Sequence, residues 1–293
     1  MTRQKTSNNL DTPRPFLKWV GGKGQLLHEL LKRVEQAGDF NRYHEPFLGG
    51  GALFYALHRA KRLNRQAHLS DYNPRLIKTY QGVRDDVEAV IKFLETHKKK
   101  HNDEYYYAIR EKLRDDIKTG AHASVPLHAA RIIYLNKTGY NGLYRENSKG
   151  LYNVPVGRYK NPLICDEPNL RACAKALKKT KLEPRHFHEI IDNAKPGDLV
   201  YFDPPYDPVS KTAAFTSYAK GGFGEDSQYL LAETYKDLHA KGVKVLLSNS
   251  YTDFIRRIYK HPDIQIDQVT ANRNINSNAK KRGAISEALI RNF

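Results

Sequence analysis

The chain has 293 residues, 40% of them apolar and 28% charged, enough to bury a sizeable core without disulfide or metal staples. No apolar run approaches the ~18 residues that span a bilayer. Cys165 and Cys173 are the only cysteines and form no Cys-x-x-Cys pair, which excludes a disulfide scaffold and a cysteine zinc site. A formal charge of +17 points to a polyanionic partner, nucleic acid first, although a generally basic solvated surface gives the same count.

Residues 1–12 are polar, lack the apolar core and cleavage site of a secretion signal, and read as a flexible arm on a cytoplasmic protein. Phe16-Leu17-Lys18-Trp19-Val20-Gly21-Gly22-Lys23 then brings an aromatic, two glycines and a cation before a Leu-rich helix (Leu26, Leu27, Leu30, Leu31). That suits a carboxylate and an adenine face, or simply a helix-entry turn with a core Trp. Residues 43–47, 67–71 and 199–203 read as buried parallel strands, the first two followed by helical periodicity, so an α/β sheet is predicted. From Val87 to about Arg185 the pattern changes to helices rich in Lys, Arg and Tyr, ending in a loop of Gly, Asn and Pro, which reads as an insertion. The run Lys98-Lys99-Lys100 within it fits a solvated helix face as well as a phosphate contact. Beyond it come a helix carrying Leu230, Leu231, Tyr235 and Leu238, a strand at 243–248, and alternating stretches at 264–269 and 288–293 that suit an edge or antiparallel pair.

Two strand ends carry nucleotide-like chemistry. Glu45-Pro46-Phe47-Leu48-Gly49-Gly50-Gly51-Ala52 joins a strand to a helix, and its glycines allow a ligand to approach the backbone, with Phe47 and Gly49 as contacts. Roughly twenty residues on, Asp71 ends the next strand, where an acid accepts hydrogen bonds from both hydroxyls of a ribose. The turn lacks the Gly-x-Gly-x-x-Gly spacing that packs a pyrophosphate against a helix, and Gly21-Gly22-Lys23-Gly24 has the wrong spacing for a phosphate loop. A phosphate-free nucleoside such as S-adenosylmethionine therefore fits better than a dinucleotide.

The chemical centre is Asp203-Pro204-Pro205-Tyr206, directly after a buried strand. Neither proline has an N–H to offer, so the carbonyls of Asp203 and Pro204 are freed from ladder bonding and become a rigid acceptor cluster. The lone pair of an aromatic amine is delocalised into its ring. Accepting both amine hydrogens, on Asp203 and the Pro204 carbonyl, draws the nitrogen towards a tetrahedral, attacking geometry. Tyr206 offers a face on which a base flipped out of the helix can stack, worth about 1–3 kcal/mol. The bland alternative is a strand-ending turn with a carboxylate at a helix N-terminus. Cytosine carbon methylation is disfavoured, because it needs a cysteine nucleophile and neither cysteine sits at a strand tip.

In four blocks, in order, the chain resembles the Dam-type DNA adenine methyltransferases: from Phe16 to Lys23, from Glu45 to Gly51, from Asn141 to Tyr159, and from Asp203 to Tyr206. The resemblance implies a Rossmann-like seven-stranded methyltransferase sheet at 13–86 and 186–293. It also implies a mainly helical target-recognition domain with a β-hairpin, inserted at 87–185. Residues matching Trp19, Lys23, Asp71 and Asp203 line the S-adenosylmethionine pocket in that family, and Asp203, Pro204 and Tyr206 are catalytic. The recognition hairpin corresponds to residues 136–159. Arg145 suits the major-groove edge of guanine, and Leu143 and Pro155 suit a thymine methyl, each good pairing discriminating by about 1–3 kcal/mol. Tyr140 suits a wedge in the base stack, Arg158 a phosphate, and Asn141 belongs to the same block. Members specific for GATC are similar at Lys18, Leu143, Arg145 and Pro155, so GATC in double-stranded DNA is the expected target. The chain departs from the family pattern at Thr138, Val156 and Gly50, which touches flanking contacts more than chemistry.

Arg273, Lys280, Lys281 and Arg282 form a second basic cluster, or a plain surface loop, and the stretch 220–224 is either a closing flap or a connection. His97 and His101 share helical spacing without an acid in register, and no metal is expected. The resemblance implies a soluble, plausibly monomeric enzyme of a bacterial or phage-infected cell, associated with the nucleoid, with or without a partner restriction enzyme. The rival readings are methylation of adenine or guanine in structured RNA, and a non-catalytic DNA-binding protein on the same scaffold.

Overall fold

The computed structural model describes residues 12–63, 65–120, 123–208, 223–272 and 284–293. The arm at 1–11, the stretch 220–222 and the cluster Arg273, Lys280, Lys281 and Arg282 lie outside them. The chain forms two compact units, one of Met1–Gly22, Gly50–Ala60 and Lys78–Lys178, the other of Lys23–Gly49, Lys61–Ile77 and Lys179–Phe293.

The second unit holds the whole sheet: β1 (Tyr43–Glu45), β2 (Ala67–Asp71), β3 (Thr180–Pro184), β4 (Leu199–Phe202), β5 (Lys244–Ser250), β6 (Gln265–Asn272) and β7 (Ala284–Arg291). Their order is β3-β2-β1-β4-β5-β7-β6. The first five are parallel; β7 runs antiparallel to both neighbours, with Ser248 opposite Leu289 and Gln268 opposite Ala288. The mixed α/β sheet is thus as expected, and the alternating stretches do form an antiparallel pair. Sequence reading missed β3, whose residues Thr180-Lys181-Leu182-Glu183-Pro184 include only one large apolar side chain. As an edge strand it has one neighbour, and charge and proline are tolerated there. Consequently the sheet resumes at Thr180, inside the stretch 87–185 expected to be insertion.

From β1 the chain winds outward through β2 to β3 and then crosses back to β4 on the other side of β1, and the carboxyl ends of the strands at such a reversal form the crevice where α/β sheets bind ligands. Asp198 fixes this centre from below. Its carboxylate accepts the Arg42 and Lys195 N–H groups at 3.1 and 3.0 Å and pairs with buried His44 Nε2 at 2.9 Å, tying β1 to the start of β4. Val200, Phe202, Val245, Leu247 and Ile290 pack with Leu231, Tyr235 and Leu238 of helix Glu225–Ala240 into one buried cluster.

The first unit is helical: α2 (Ala52–Arg59), the end of α3 (Pro74–Asp85), α4 (Val87–Lys100), α5 (Asp103–Thr119), α6 (Val125–Thr138) and α7 (Glu167–Leu177), α1 being Leu27–Gln36 of the other unit. Asp86 and Asn102 cap α4 and α5, accepting the Ala89 and Tyr105 N–H groups. Helix α6 is apolar nearly all round and packs against α4 and α5. His97 and His101 belong to this core: each Nδ1 bonds a tyrosine hydroxyl, of Tyr105 and Tyr134, at 2.9 Å. Burial lowers the His97 pKa to about 4.

Gly82 of α3 is where helix propensity and packing oppose one another. Alanine favours a helix by ~1 kcal/mol over glycine, yet a Cβ at Gly82 would stand 2.7 Å from Ala129 Cβ and 3.0 Å from the Val125 carbonyl oxygen. Overpacking of this kind costs about 1–3 kcal/mol. Gly82→Ala is therefore expected to lower the melting temperature, and an unchanged or raised value would show that α3 and α6 are less tightly apposed.

Candidate active site

Strand β4 ends at Phe202, so Asp203 emerges at the carboxyl end of the sheet, where the prolines stop pairing. Asp203 Oδ1 receives Lys23 Nζ at 2.6 Å and Ser248 Oγ at 3.0 Å, and Ser248 Oγ also meets Tyr201 OH at 3.0 Å. Burial raises the Asp203 pKa, and the Lys23 ammonium and the Ser248 hydroxyl act against that rise. Lys23 Nζ also lies 4.6 Å from the centroid of the Tyr206 ring, so one face of that ring is turned to a cation. Tyr206 OH donates to Glu287 Oε2 at 2.7 Å.

A network below this turn holds it in place. Asn249 Oδ1 accepts the Asp207 and Ser250 N–H groups at 2.9 and 2.8 Å, which fixes its amide so that Nδ2 donates to Gln228 Oε1 at 3.0 Å. Gln228 Nε2 in turn donates to the Pro205 carbonyl at 3.0 Å, while Ser250 Oγ and Thr252 Oγ1 donate to the Asp207 carbonyl and Oδ2, both at 2.7 Å. Sequence reading missed Ser248, Asn249, Gln228 and Glu287. The only available signal was polar Ser248-Asn249-Ser250 ending an otherwise apolar strand.

The glycine turn and Asp71 do meet. Gly49, at φ 46°, donates its N–H to Asp71 Oδ2 at 3.0 Å, and Asn73 N–H reaches Oδ1 at 2.9 Å. Burial raises the Asp71 pKa against these two hydrogen bonds. Phe47 stacks on Phe187 with centroids 5.3 Å apart, and Tyr72, next to Asp71, is 77% exposed.

In the first unit, Trp19 stacks on Tyr144 at 5.1 Å, and exposed Lys18 is anchored through its backbone. Buried Asn136 accepts Lys18 N–H at 2.9 Å and donates to the carbonyls of Lys18 and Gly142 at 2.9 and 2.8 Å. The segment expected as a hairpin is a sparse ladder, with antiparallel bridges Gly139 to Val156 and Glu146 to Tyr152 and a 3-10 turn at Tyr140–Gly142. Asn141 takes φ 54°, a conformation Asn tolerates better than most. Tyr140, Asn141, Arg145, Pro155 and Arg158 are exposed and Leu143 half-buried. Arg145 Nε donates to Asn153 Oδ1 at 2.8 Å, so its guanidinium is held before any contact with a base. Helix α5 supports the returning strand: Tyr106 OH and Arg110 Nη1 donate to the Val154 carbonyl at 3.0 and 3.3 Å, and Arg114 Nε to that of Tyr152 at 2.8 Å. Thr138 is buried with its hydroxyl bonded to the Tyr134 carbonyl, and a Cβ at Gly50 would make only ordinary contact with Trp19.

Residues 19–275 match the model of the D12 class N6 adenine-specific DNA methyltransferases. The chain belongs to that family. It is 39% identical over 292 residues to the type II methyltransferase M1.LlaDCHI of Lactococcus lactis subsp. cremoris, covering 99% of this chain and 98% of that one. Type II methyltransferase M.MjaIII of Methanocaldococcus jannaschii is 41% identical over 96% of this chain and 99% of its own. A DNA adenine methylase of Vibrio cholerae is 33% identical over 94% and 95%. Among the described residues, no helix of this D12-class enzyme is long and apolar enough to cross a membrane.

Because Asn249 joins Asp207, Ser250 and Gln228, its side chain sets the position of the turn that carries Asp203 and Tyr206. Asn249→Ala is expected to slow single-turnover methylation by roughly 10²-fold, the scale on which a 1 Å misplacement acts. Asn249→Asp, which keeps the two accepted N–H bonds, should lose less. Equal losses in both variants would mean that the backbone N–H bonds are not what holds the turn.

Proposed function

We propose that this chain methylates the exocyclic amine of an adenine flipped out of duplex DNA, within GATC, with S-adenosylmethionine as methyl donor. The observation that carries the reading is the setting of Asp203 at the end of β4: Oδ1 receives Lys23 and Ser248, and we assign Oδ2 to a substrate amine beside the Pro204 carbonyl.

The residues present suit an adenosine-bearing sulfonium. Asp71 uses one acceptor site on each oxygen for backbone N–H groups; a carboxylate has about four such sites, so two remain for ribose hydroxyls. Gly49 brings bare backbone to the same place, and Lys23 supplies a cation for the donor's carboxylate. We assign Trp19, Lys23, Phe47, Gly49, Asp71 and Asp203 to the donor. When bound, it supplies an electrophilic methyl group on sulfur.

On the substrate side, Asp203 Oδ2 and the Pro204 carbonyl accept the two amine hydrogens and localise the nitrogen lone pair. As positive charge develops on that nitrogen, a carboxylate whose pKa burial has raised is a better proton acceptor than an exposed one. Tyr206 turns one face to Lys23, and we assign the opposite face to the base. The first unit reads sequence in this scheme, from the recognition domain we place between residues 87 and 178. Arg145 addresses guanine, Leu143 and Pro155 thymine methyls, Lys18 and Asn141 base edges, Tyr140 the vacated stack and Arg158 a phosphate.

Labelled methyl transfer to duplexes with and without GATC, beside a structured RNA, tests the whole. Label should enter GATC duplexes alone and vanish with Asp203→Ala; label confined to RNA, or none, sinks the proposal. Arg145→Ala should relax discrimination at one base pair by about 1–3 kcal/mol with little change on non-specific DNA, whereas a uniform loss would make it a phosphate contact. In a pH series, protonation removes the Oδ2 acceptor, so the rate should fall as pH falls through a midpoint above 3.8, the ordinary aspartate value. A midpoint at or below that value would mean that Lys23 outweighs burial.

A further inference from the structure

The second unit carries a compact cluster of arginines and aromatics just beyond β5, in and before helix α8 (Asp253–Ile258). We propose that this cluster is a phosphate clamp through which the catalytic unit itself grips the DNA backbone near the extruded adenine. Arg256 lies over the Tyr251 ring at 5.0 Å from its centroid and Arg257 over the Phe254 ring at 5.8 Å. Phe254 meets Tyr229 edge-on at 5.4 Å, and Tyr229 is 46% exposed. Both arginines are exposed, as is Lys260 one turn on.

A guanidinium stacked on a ring spends its flat face and keeps its N–H edge free. That edge matches two phosphate oxygens, and stacking reduces the rotamer freedom lost when they bind. Asp253 at the cluster's edge pairs with Arg256 and has a side chain 91% exposed. A surface pair of this kind is worth about 0–1 kcal/mol, so a phosphate can displace it.

Location selects DNA rather than a generic anion. Strands β4 and β5 are parallel, so the segments that follow them leave the same end of the sheet: Asp203 to Tyr206 after one, Tyr251 to Arg257 after the other. Thr252 Oγ1 bonds Asp207 Oδ2 at 2.7 Å, so the clamp is fastened to the catalytic turn itself. Extruding a base costs a few kcal/mol, and the phosphates flanking that base are the part of the DNA backbone that comes nearest Asp203. The clamp rests on the reading of duplex DNA as substrate.

The test is the salt dependence of binding to a duplex with one GATC site, for the full chain and three variants whose melting temperatures match it. Losing two phosphate contacts should reduce the slope of log K against log salt by about 2, each contact contributing roughly 0.9. The wild-type advantage over Arg256→Gln/Arg257→Gln should thus shrink about tenfold between ~50 and ~200 mM salt. Lys236→Gln/Lys241→Gln removes the same charge where the helix before β5 ends, at the other end of that strand, and should leave the slope unchanged. Asp253→Asn should tighten binding a few-fold. If the arginine variant shifts the slope no more than the lysine variant while wild type binds and methylates, the clamp is wrong and the proposed function stands. If wild type neither binds nor methylates duplex DNA, both fall.

Discussion

The site depends on a carboxylate kept charged in a place that disfavours charge. At the end of β4, burial raises the Asp203 pKa, and Lys23 and Ser248, both directed at Oδ1, act against that rise. Both opposing groups reach the carboxylate at the same oxygen. The same lysine also faces the Tyr206 ring, so one ammonium conditions both the acceptor and the aromatic surface beside it.

Chemistry-bearing positions were legible in the sequence where they end or follow apolar runs. Asp71 and Asp203 each close a strand that reads as buried, and Gly49 and Gly51 take the positive φ that favours glycine. The supporting residues were not legible, because a buried Asn or Gln is recognisable only through partners far along the chain: Asn249 with Gln228, Asn136 with Lys18, Tyr206 with Glu287. Strand β3 was missed for a related reason. An edge strand needs little apolar content, and periodicity reads burial rather than pairing. The expected hairpin was legible as an irregular, glycine-containing segment, but its few cross-strand bonds and its support by α5 were not.

Preorganisation recurs in both units by similar means. Arg145 is held by Asn153, the ladder behind it by Tyr106, Arg110 and Arg114, and the turn after β4 by Asn249 and Gln228. In the last two cases side chains bond backbone carbonyl or N–H groups. Irregular backbone is thereby given defined positions without regular secondary structure, and the cost is dependence on single amides whose loss leaves several groups unsatisfied.

The place of β7 in the sheet has a consequence for synthesis. Of the seven strands it is the last in sequence, yet it lies between β5 and β6 and supplies Glu287 to Tyr206. While the chain is being made, β6 has no sheet neighbour and Tyr206 lacks its acceptor until residues 284–291 emerge. A nascent chain can therefore assemble the parallel half of the sheet early, whereas the pairing of β6 and the Tyr206–Glu287 bond come together only with residues 284–291.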